Sequence, residues 1–375
     1  MPRIAIPGLA GPSNLLASVT VNADRTINWY PETATPGSPV VQKWLRPTPG
    51  VRAFGLFPGT PMRGLFELDG RCFGVAGIYF GELLSDGTVI NTALVADDAD
   101  HTPVSFASNG SAGHQLLFTS AGFGYIFDLL TNVVTQITDP DFPADVSMCA
   151  FMDGYFLVLI RDTRRVAFSA LEDGTSWDAL DVFERSIASD NIVTMIRTHR
   201  DLLLLGSQTS ESWSDTGDAL TPFQPIQGVL MELGSSAPFG AVRADNSVVF
   251  LVKDERGTGI ASRQEGYSAV RTTTYGIDLK IQAATDLASA VAFAAQIDGH
   301  LWVSWNIEGV DTTLVWDVAE QQWHERSLWD STACVWTHHV GKYHAFAFGK
   351  HILGSRVNGW TYEWSSAYLD DEVSA

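Results

Sequence analysis

A tight turn followed by a short apolar strand recurs seven times along this chain of 375 residues. The turns carry Asp69-Gly70, Gly113, Asp153-Gly154, Asp201, Asp245-Asn246, Asp298-Gly299 and Gly341, and each leads into a run such as Tyr155-Phe-Leu-Val-Leu-Ile or Leu202-Leu-Leu-Leu. Counted from positions 70, 113, 154, 201, 246, 299 and 341, the steps are 43, 41, 47, 45, 53 and 42 residues. One unit per ~45 residues is the length of a four-stranded propeller blade. A single blade is too small to bury both of its faces, so blades must stack in a ring and cover one another. A chain this long exceeds the usual single-core size, and repetition resolves that excess.

Each unit continues in the same style. Gly124–Asp128 and Thr313–Asp317 are strands ending in Asp before a turn, and Val133–Thr138 and Gln322–Arg326 follow with alternating side chains. The expected fold is therefore all-β: a β-propeller of about seven blades over residues 62–366. Residues 1–61 are dense in Pro and Gly, including Pro2, Pro7, Pro36, Pro39, Pro47 and Pro49, and read as an extended N-terminal arm. Residues 367–375 form a short acidic tail. Thr285–Gln296 can hold a brief alanine-rich helix behind a Thr or Asp cap, or equally lead into a strand.

Charge narrows the functional classes. There are 43 acidic and 23 basic residues, a formal net charge of −20. Gripping a polyanion takes clustered Lys and Arg, so tight nucleic-acid binding is excluded and any DNA role is containment or passage. No apolar run reaches the ~18 residues of a membrane helix, and Met1-Pro-Arg-Ile lacks the apolar core of a signal peptide. Cys72, Cys149 and Cys334 show no paired spacing and read as buried thiols of a protein folding in a reducing cytosol.

Catalytic patterns are weak. Ala170–Trp177 resembles the Asp-box turn of sialidase-type propellers, but Ala170 and Glu172 replace signature residues, and such a box is itself a turn device. Arg161, Arg164 and Arg165 show no arrangement suited to a sugar carboxylate. His324, His338, His339, His344 and His351 crowd the C-terminal units. On a strand His338 and His339 point to opposite faces, so half-buried strand positions describe them better than a metal site. Asp97, Asp98 and Asp100 lack the pattern of a calcium loop and read as a solvated turn. No phosphate loop, nucleophile elbow or zinc-protease motif occurs. No catalytic, cofactor-binding or metal residues are assigned, and the chain reads as a non-enzyme.

Four motifs together carry a family resemblance. They are Val21-Asn22 with Asn28-Trp29-Tyr30-Pro31-Glu32, then Leu45-Arg46-Pro47-Thr48-Pro49-Gly50-Val51, then Ser169–Asp178, then Leu205–Gly217 leading into Pro225–Gly228 and Gly234–Gly240. In this order, from about residue 20 to about 365, the chain resembles the packaged-DNA stabilisation proteins of short-tailed bacteriophages, the tail hub or nozzle subunits. The resemblance implies a structural virion tail protein, made in the bacterial host cytoplasm and assembled as a homohexameric ring. Such a ring extends the channel of the portal and adaptor (head-to-tail connector), retains packaged double-stranded DNA and lets it pass at ejection. It also carries a tail needle or fibres. Relatives of this kind continue past the last blade into a further β domain, whereas this sequence stops at Ala375. Trp29, Tyr30 and Arg46 are the candidate interface residues, either docking the arm on a neighbour or anchoring it on its own propeller. The alternative reading is a monomeric propeller lectin or glycosidase acting on surface glycans. A host-encoded scaffold for peptide partners is a third.

Overall fold

A computed structural model describes residues 11–15, 23–33, 43–185, 187–198, 200–218, 221–253 and 259–373. The arm positions before residue 11 and at 16–22 and 34–42, which include Val21, Asn22, Pro36 and Pro39, lie outside the described residues.

Seven antiparallel sheets follow one another around a ring. Their innermost strands are Met62–Leu68, Ser105–Ser108, Val146–Met152, Ile192–Arg197, Ala241–Ala244, Asp286–Ile297 and Gly341–Ala347, which number the blades one to seven. Each innermost strand contacts the next, and the seventh returns to the first. The expected propeller is thus present.

The second strand of each blade explains the apolar runs in the sequence. Leu202 and Leu204 pack into a cluster shared with blade three, while Leu203 and Leu205 pack into another shared with blade five. Phe156 and Val158 likewise face blade two, and Leu157 and Leu159 face blade four. A strand buried on both faces reads as a continuous hydrophobic run rather than an alternating one. Seven such clusters fill the seven clefts between blades, the last joining Phe57, Met62 and Cys72 of the chain's early strands to Tyr343, Ala345 and Ile352 of blade seven.

Tight hairpins join first to second strands. Asp69-Gly70, Asp153-Gly154, Asp298-Gly299 and Phe348-Gly349 each place two consecutive residues at positive φ, the turn whose twist matches the flanking strands. The turn of blade seven is therefore Phe348-Gly349; Gly341 instead opens its innermost strand. The Asp residues ending third strands also have a local role. Asp128 Oδ1 accepts from the amides of Leu130 (2.9 Å) and Thr131 (2.8 Å), and Asp317 Oδ1 from those of Ala319 (2.9 Å) and Glu320 (3.2 Å).

One alternative left open by the sequence is resolved, and two features depart from its expectations. Residues 285–296 do not form a helix: Asp286–Ile297 is the innermost strand of blade six, because small alanines suit the crowded axis and tertiary packing overrides their helix propensity. A helix forms just before it instead, Tyr275–Gln282, sinking Ile277 and Ile281 between blades five and six. Finally, Gly50–Leu56 is not part of a free arm. It pairs with Trp360–Ser365 as the outer strand of blade seven, so the two ends of the chain close the ring together.

The C-terminal residues cover that closing strand. Gly50 N–H donates to the Tyr368 carbonyl (2.9 Å) and Glu372 N–H to that of Val51 (3.1 Å). Arg52 pairs with Asp370 (2.6 Å) and Glu372 (3.0 Å) and lies over the Tyr368 ring. A side chain at residue 50 is barred, since a Cβ would sit 2.2 Å from the Asp370 carbonyl oxygen.

Candidate functional site

The arm is fixed to the outside of blade six, along its fourth strand, Gln322–Asp330. Ser13 N–H donates to the Trp323 carbonyl (2.8 Å), Asn28 N–H to Glu325 (2.8 Å), and Glu325 N–H to Thr26 (2.9 Å). Ile27 thereby runs parallel beside Glu325.

The wholly buried Glu325 carboxylate is the centre of this attachment. Its Oε2 accepts from Arg25 Nη2 (2.6 Å), Lys280 Nζ (2.6 Å) and Thr312 Oγ1 (2.8 Å), and its Oε1 from Ser13 Oγ (2.8 Å). Burial pushes this carboxyl up, but the Arg25 hydrogen bond and the Lys280 charge outweigh it and bring it down to about 2. A buried charge is tolerable only with such a set of partners.

Next along the arm, Trp29–Thr33 and Lys43–Pro47 form a two-stranded sheet in which Tyr30 lies opposite Arg46 and Trp29 opposite Pro47. Tyr30 is fully buried among residues of blades six and seven, edge-on to His300 and Trp302 at 5.0 Å each. Burial, opposed by the nearby Arg46, pushes its hydroxyl up to about 12. Arg46 sits 5.7 Å from the Tyr30 ring and pairs with Glu32 (3.2 Å) and with Asp298 of blade six (3.5 Å). Tyr30 and Arg46 thus engage their own propeller. Trp29 does not: it is 46% exposed.

Beyond Arg326 the fourth strand of blade six leaves the ring and returns as a fifth, Val335–His338. Trp329 and Trp336 face each other across this hairpin, edge-on with centroids 5.0 Å apart, and are 51% and 38% exposed. The Asn28 side chain braces its base, donating to the Ser327 carbonyl (2.8 Å) and accepting from the Ser327 amide (2.9 Å). Trp29 therefore follows directly on the residue that holds the hairpin. Cys334, at the tip, is exposed, unlike the buried Cys72 and Cys149, so the expectation of three buried thiols is corrected.

Residues of all seven blades converge on the propeller's own axis. All seven blades enclose a cavity of about 240 Å³, lined by Leu65, Val104, Met148, Met195, Val291 and Tyr343 among others. A second cavity of about 820 Å³ shares Pro103, Pro238 and Phe239 with the lining of the first and sets Asp100, Asp162 and Asp286 among His101, Arg161 and Lys342. The axis cannot admit a nucleic-acid duplex.

The remaining sequence candidates have local partners. Asp173 accepts from the Thr175 amide (2.9 Å) and hydroxyl (2.7 Å), and Trp177 Nε1 donates to the Gly174 carbonyl (2.8 Å), so the Asp-box-like segment is a self-satisfied turn. Arg161 pairs with Asp145 (2.8 Å) and Arg164 with Glu184 (2.5 Å), on separate partners. Asp97 is not a solvated turn residue: it is buried against Arg63 (3.1 Å) and His101 (2.7 Å). His338 bonds the Ile307 carbonyl (3.0 Å), His339 lies 3.0 Å from Arg326, and His344 and His351 contact each other at 3.0 Å. His324 is enclosed by Tyr30 and Trp302 with both ring nitrogens unbonded, and burial draws it down to about 3. Among the described residues no group of three or more His, Cys, Asp or Glu could hold a metal.

Sequence reasoning missed Arg25, Lys280 and Glu325, whose partnership spans most of the chain. It also missed Trp329, although the spacing of Trp329 and Trp336 around Asp330-Ser-Thr-Ala is a readable hairpin signal.

The ring of seven sheets, with a strap-like arm laid along the sixth, defines a seven-bladed β-propeller. Residues 24–368 match the phage stabilisation family described as "Bacteriophage P22 Gp10, beta-propeller", and the chain belongs to that family. Membership supports a phage tail and DNA-stabilisation protein and, with it, a virion component. No curated protein matches the chain. Among solved structures, the chain is similar to the N-terminal domain of Nup159, at 11% identity and TM-score 0.52, over 84% of this chain and 95% of that one. It is also similar to the extracellular domain of BT4673 from B. thetaiotaomicron, at 9% identity and TM-score 0.54, over 84% of this chain and 40% of that one. At such identities these likenesses concern the fold alone.

Proposed function

We propose that this chain is a tail hub or nozzle subunit of a short-tailed phage. It assembles as a homo-oligomeric ring, hexameric by resemblance to its family, that extends the portal–adaptor channel. The ring retains packaged double-stranded DNA and lets it pass at ejection, and it carries a tail needle or fibre distally. The observation that carries the reading is the family match over residues 24–368.

Two physical features support it. The narrow axial cavity of the single propeller leaves any DNA passage to run between copies, which a ring of propellers supplies. A net charge of −20 disfavours phosphate contacts, so DNA moving past such subunits meets no electrostatic trap. The test is electron microscopy of the protein within an intact tail. A ring of copies below the adaptor is expected; a monomer with affinity for a glycan array, absent from the tail, overturns the proposal.

A further inference from the structure

We propose that the tryptophan hairpin of blade six, with Trp29 beside its base, is the surface on which a second copy of this chain seats. The inference rests on the ring reading above and locates its subunit contact.

Charge selects the occupant. Copies carrying −20 each repel, so they can meet closely only where carboxylates are few. From Ser327 to His338 the hairpin holds a single acidic residue, Asp330, and no Lys or Arg. The Asp330 carboxylate is occupied by its own turn, accepting from the amides of Thr332 (2.8 Å) and Ala333 (3.0 Å). His338 is kept neutral by burial. This stretch can be covered without stranding an unpaired charge. A polyanion, by contrast, finds no cation on it.

Geometry agrees. Among the described residues Val335–His338 pairs only with Ser327–Asp330, past the Gln322–Arg326 part that the third strand covers, so the hairpin is a two-stranded extension of blade six with Val335–His338 as its end strand. An end strand offers its outer edge to a partner. Trp29, Trp329 and Trp336 supply the large aromatic anchors that dominate association energies. The hairpin is also held in place before any partner arrives, by Asn28 at its base and by Ser327 Oγ donating to the Thr337 carbonyl at 2.5 Å. Preorganisation lowers the entropy lost on binding.

The test uses the purified full-length chain, so that only a second copy can cover the surface. Sedimentation velocity over a concentration series follows assembly, and a maleimide reads the exposure of Cys334, the one exposed thiol of the three. In assembled species Cys334 labelling is expected to slow at least about tenfold relative to dilute chain, and the Trp329→Ser/Trp336→Ser variant to need at least about tenfold more protein to assemble. Leu180→Ser, at an exposed position of blade three, is the control and leaves assembly unchanged. If the double variant does not fold, protection of Cys334 in the wild-type chain decides alone. Assemblies that leave Cys334 freely labelled, or that form equally well from the folded double variant, overturn this inference and spare the ring reading. A chain that stays monomeric at every concentration overturns the self-contact, while a ring seen in the intact tail would still uphold the reading it rests on.

Discussion

Arg25 Nη2 and Glu325 Oε2 lie 2.6 Å apart although 300 positions separate them in the chain. The guanidinium belongs to the arm and the carboxylate to a propeller strand, so this contact holds two parts of the molecule that share no hairpin or local turn.

Substituting Glu325→Ala removes the acceptor shared by Arg25, Lys280, Thr312 and Ser13 and leaves two cations facing a buried space. Breaking one side of a buried ion pair costs about 3–5 kcal/mol. Urea denaturation should show that loss, and proteolysis at Arg25 should accelerate. The pH dependence has a fixed sign. The folded carboxyl titrates at about 2, against roughly 4.3 in an unfolded chain. Its contribution is therefore complete above the unfolded value and lost as pH falls through about 2. Hydrogen exchange of the Thr26 and Asn28 amides should stay slow at pH 4 and speed up near pH 2.

Neighbouring aromatic residues on the arm should separate stability from assembly. Tyr30→Ala empties a site between blades six and seven and should cost about 3–5 kcal/mol in the denaturant midpoint. Trp29→Ala removes an exposed ring and should change stability by no more than about 0.5 kcal/mol. Equal losses from both would contradict the burial difference.

His324→Phe should stabilise the protein by about 1–3 kcal/mol at neutral pH, because it removes two buried nitrogens that have no partner. Burial draws the native His324 down to about 3, so between the unfolded value near 6.5 and that point the unfolded chain takes a proton the folded one refuses. Wild-type stability accordingly falls as pH drops across this window. The variant should melt with a shallower acid slope, with His344, likewise drawn to about 3, retaining its own share.

Gly50→Ala tests the strand that closes the ring. Its methyl group would meet the Asp370 carbonyl at 2.2 Å, so the last residues must move away and Arg52 must lose Asp370 and Glu372. A cost of about 1–3 kcal/mol is expected in thermal melting.

The propeller was legible because its signal is local and repeated. Asp69-Gly70 and Asp298-Gly299 mark hairpins by backbone chemistry, and runs such as Leu202–Leu205 mark strands covered on both faces. Blade seven hid its turn because Phe348, at φ 58°, stands where Asp stands in blades one, three and six. The pairing of Gly50–Leu56 with Trp360–Ser365 left no local trace, since each strand reads the same whichever edge it joins. Tyr30 and Arg46 drew notice as part of a motif, and their contacts within the chain run to blade six. Glu325 drew none, because an acidic residue in an alternating strand ordinarily faces water.

Closing the ring across 306 positions, from Gly55 to Thr361, also sets a schedule for synthesis. The early strand leaves the ribosome long before its partner exists and must wait, unpaired, while six blades are made. Long-range pairing of this kind is slow and exposes sticky edges in the interval. A nascent chain interrupted after blade six would present both an orphan strand and an uncovered face, a substrate for chaperones and proteases rather than for a growing particle. Only a chain translated through Ser365 can seal itself, so the fold acts as its own inspection for completeness.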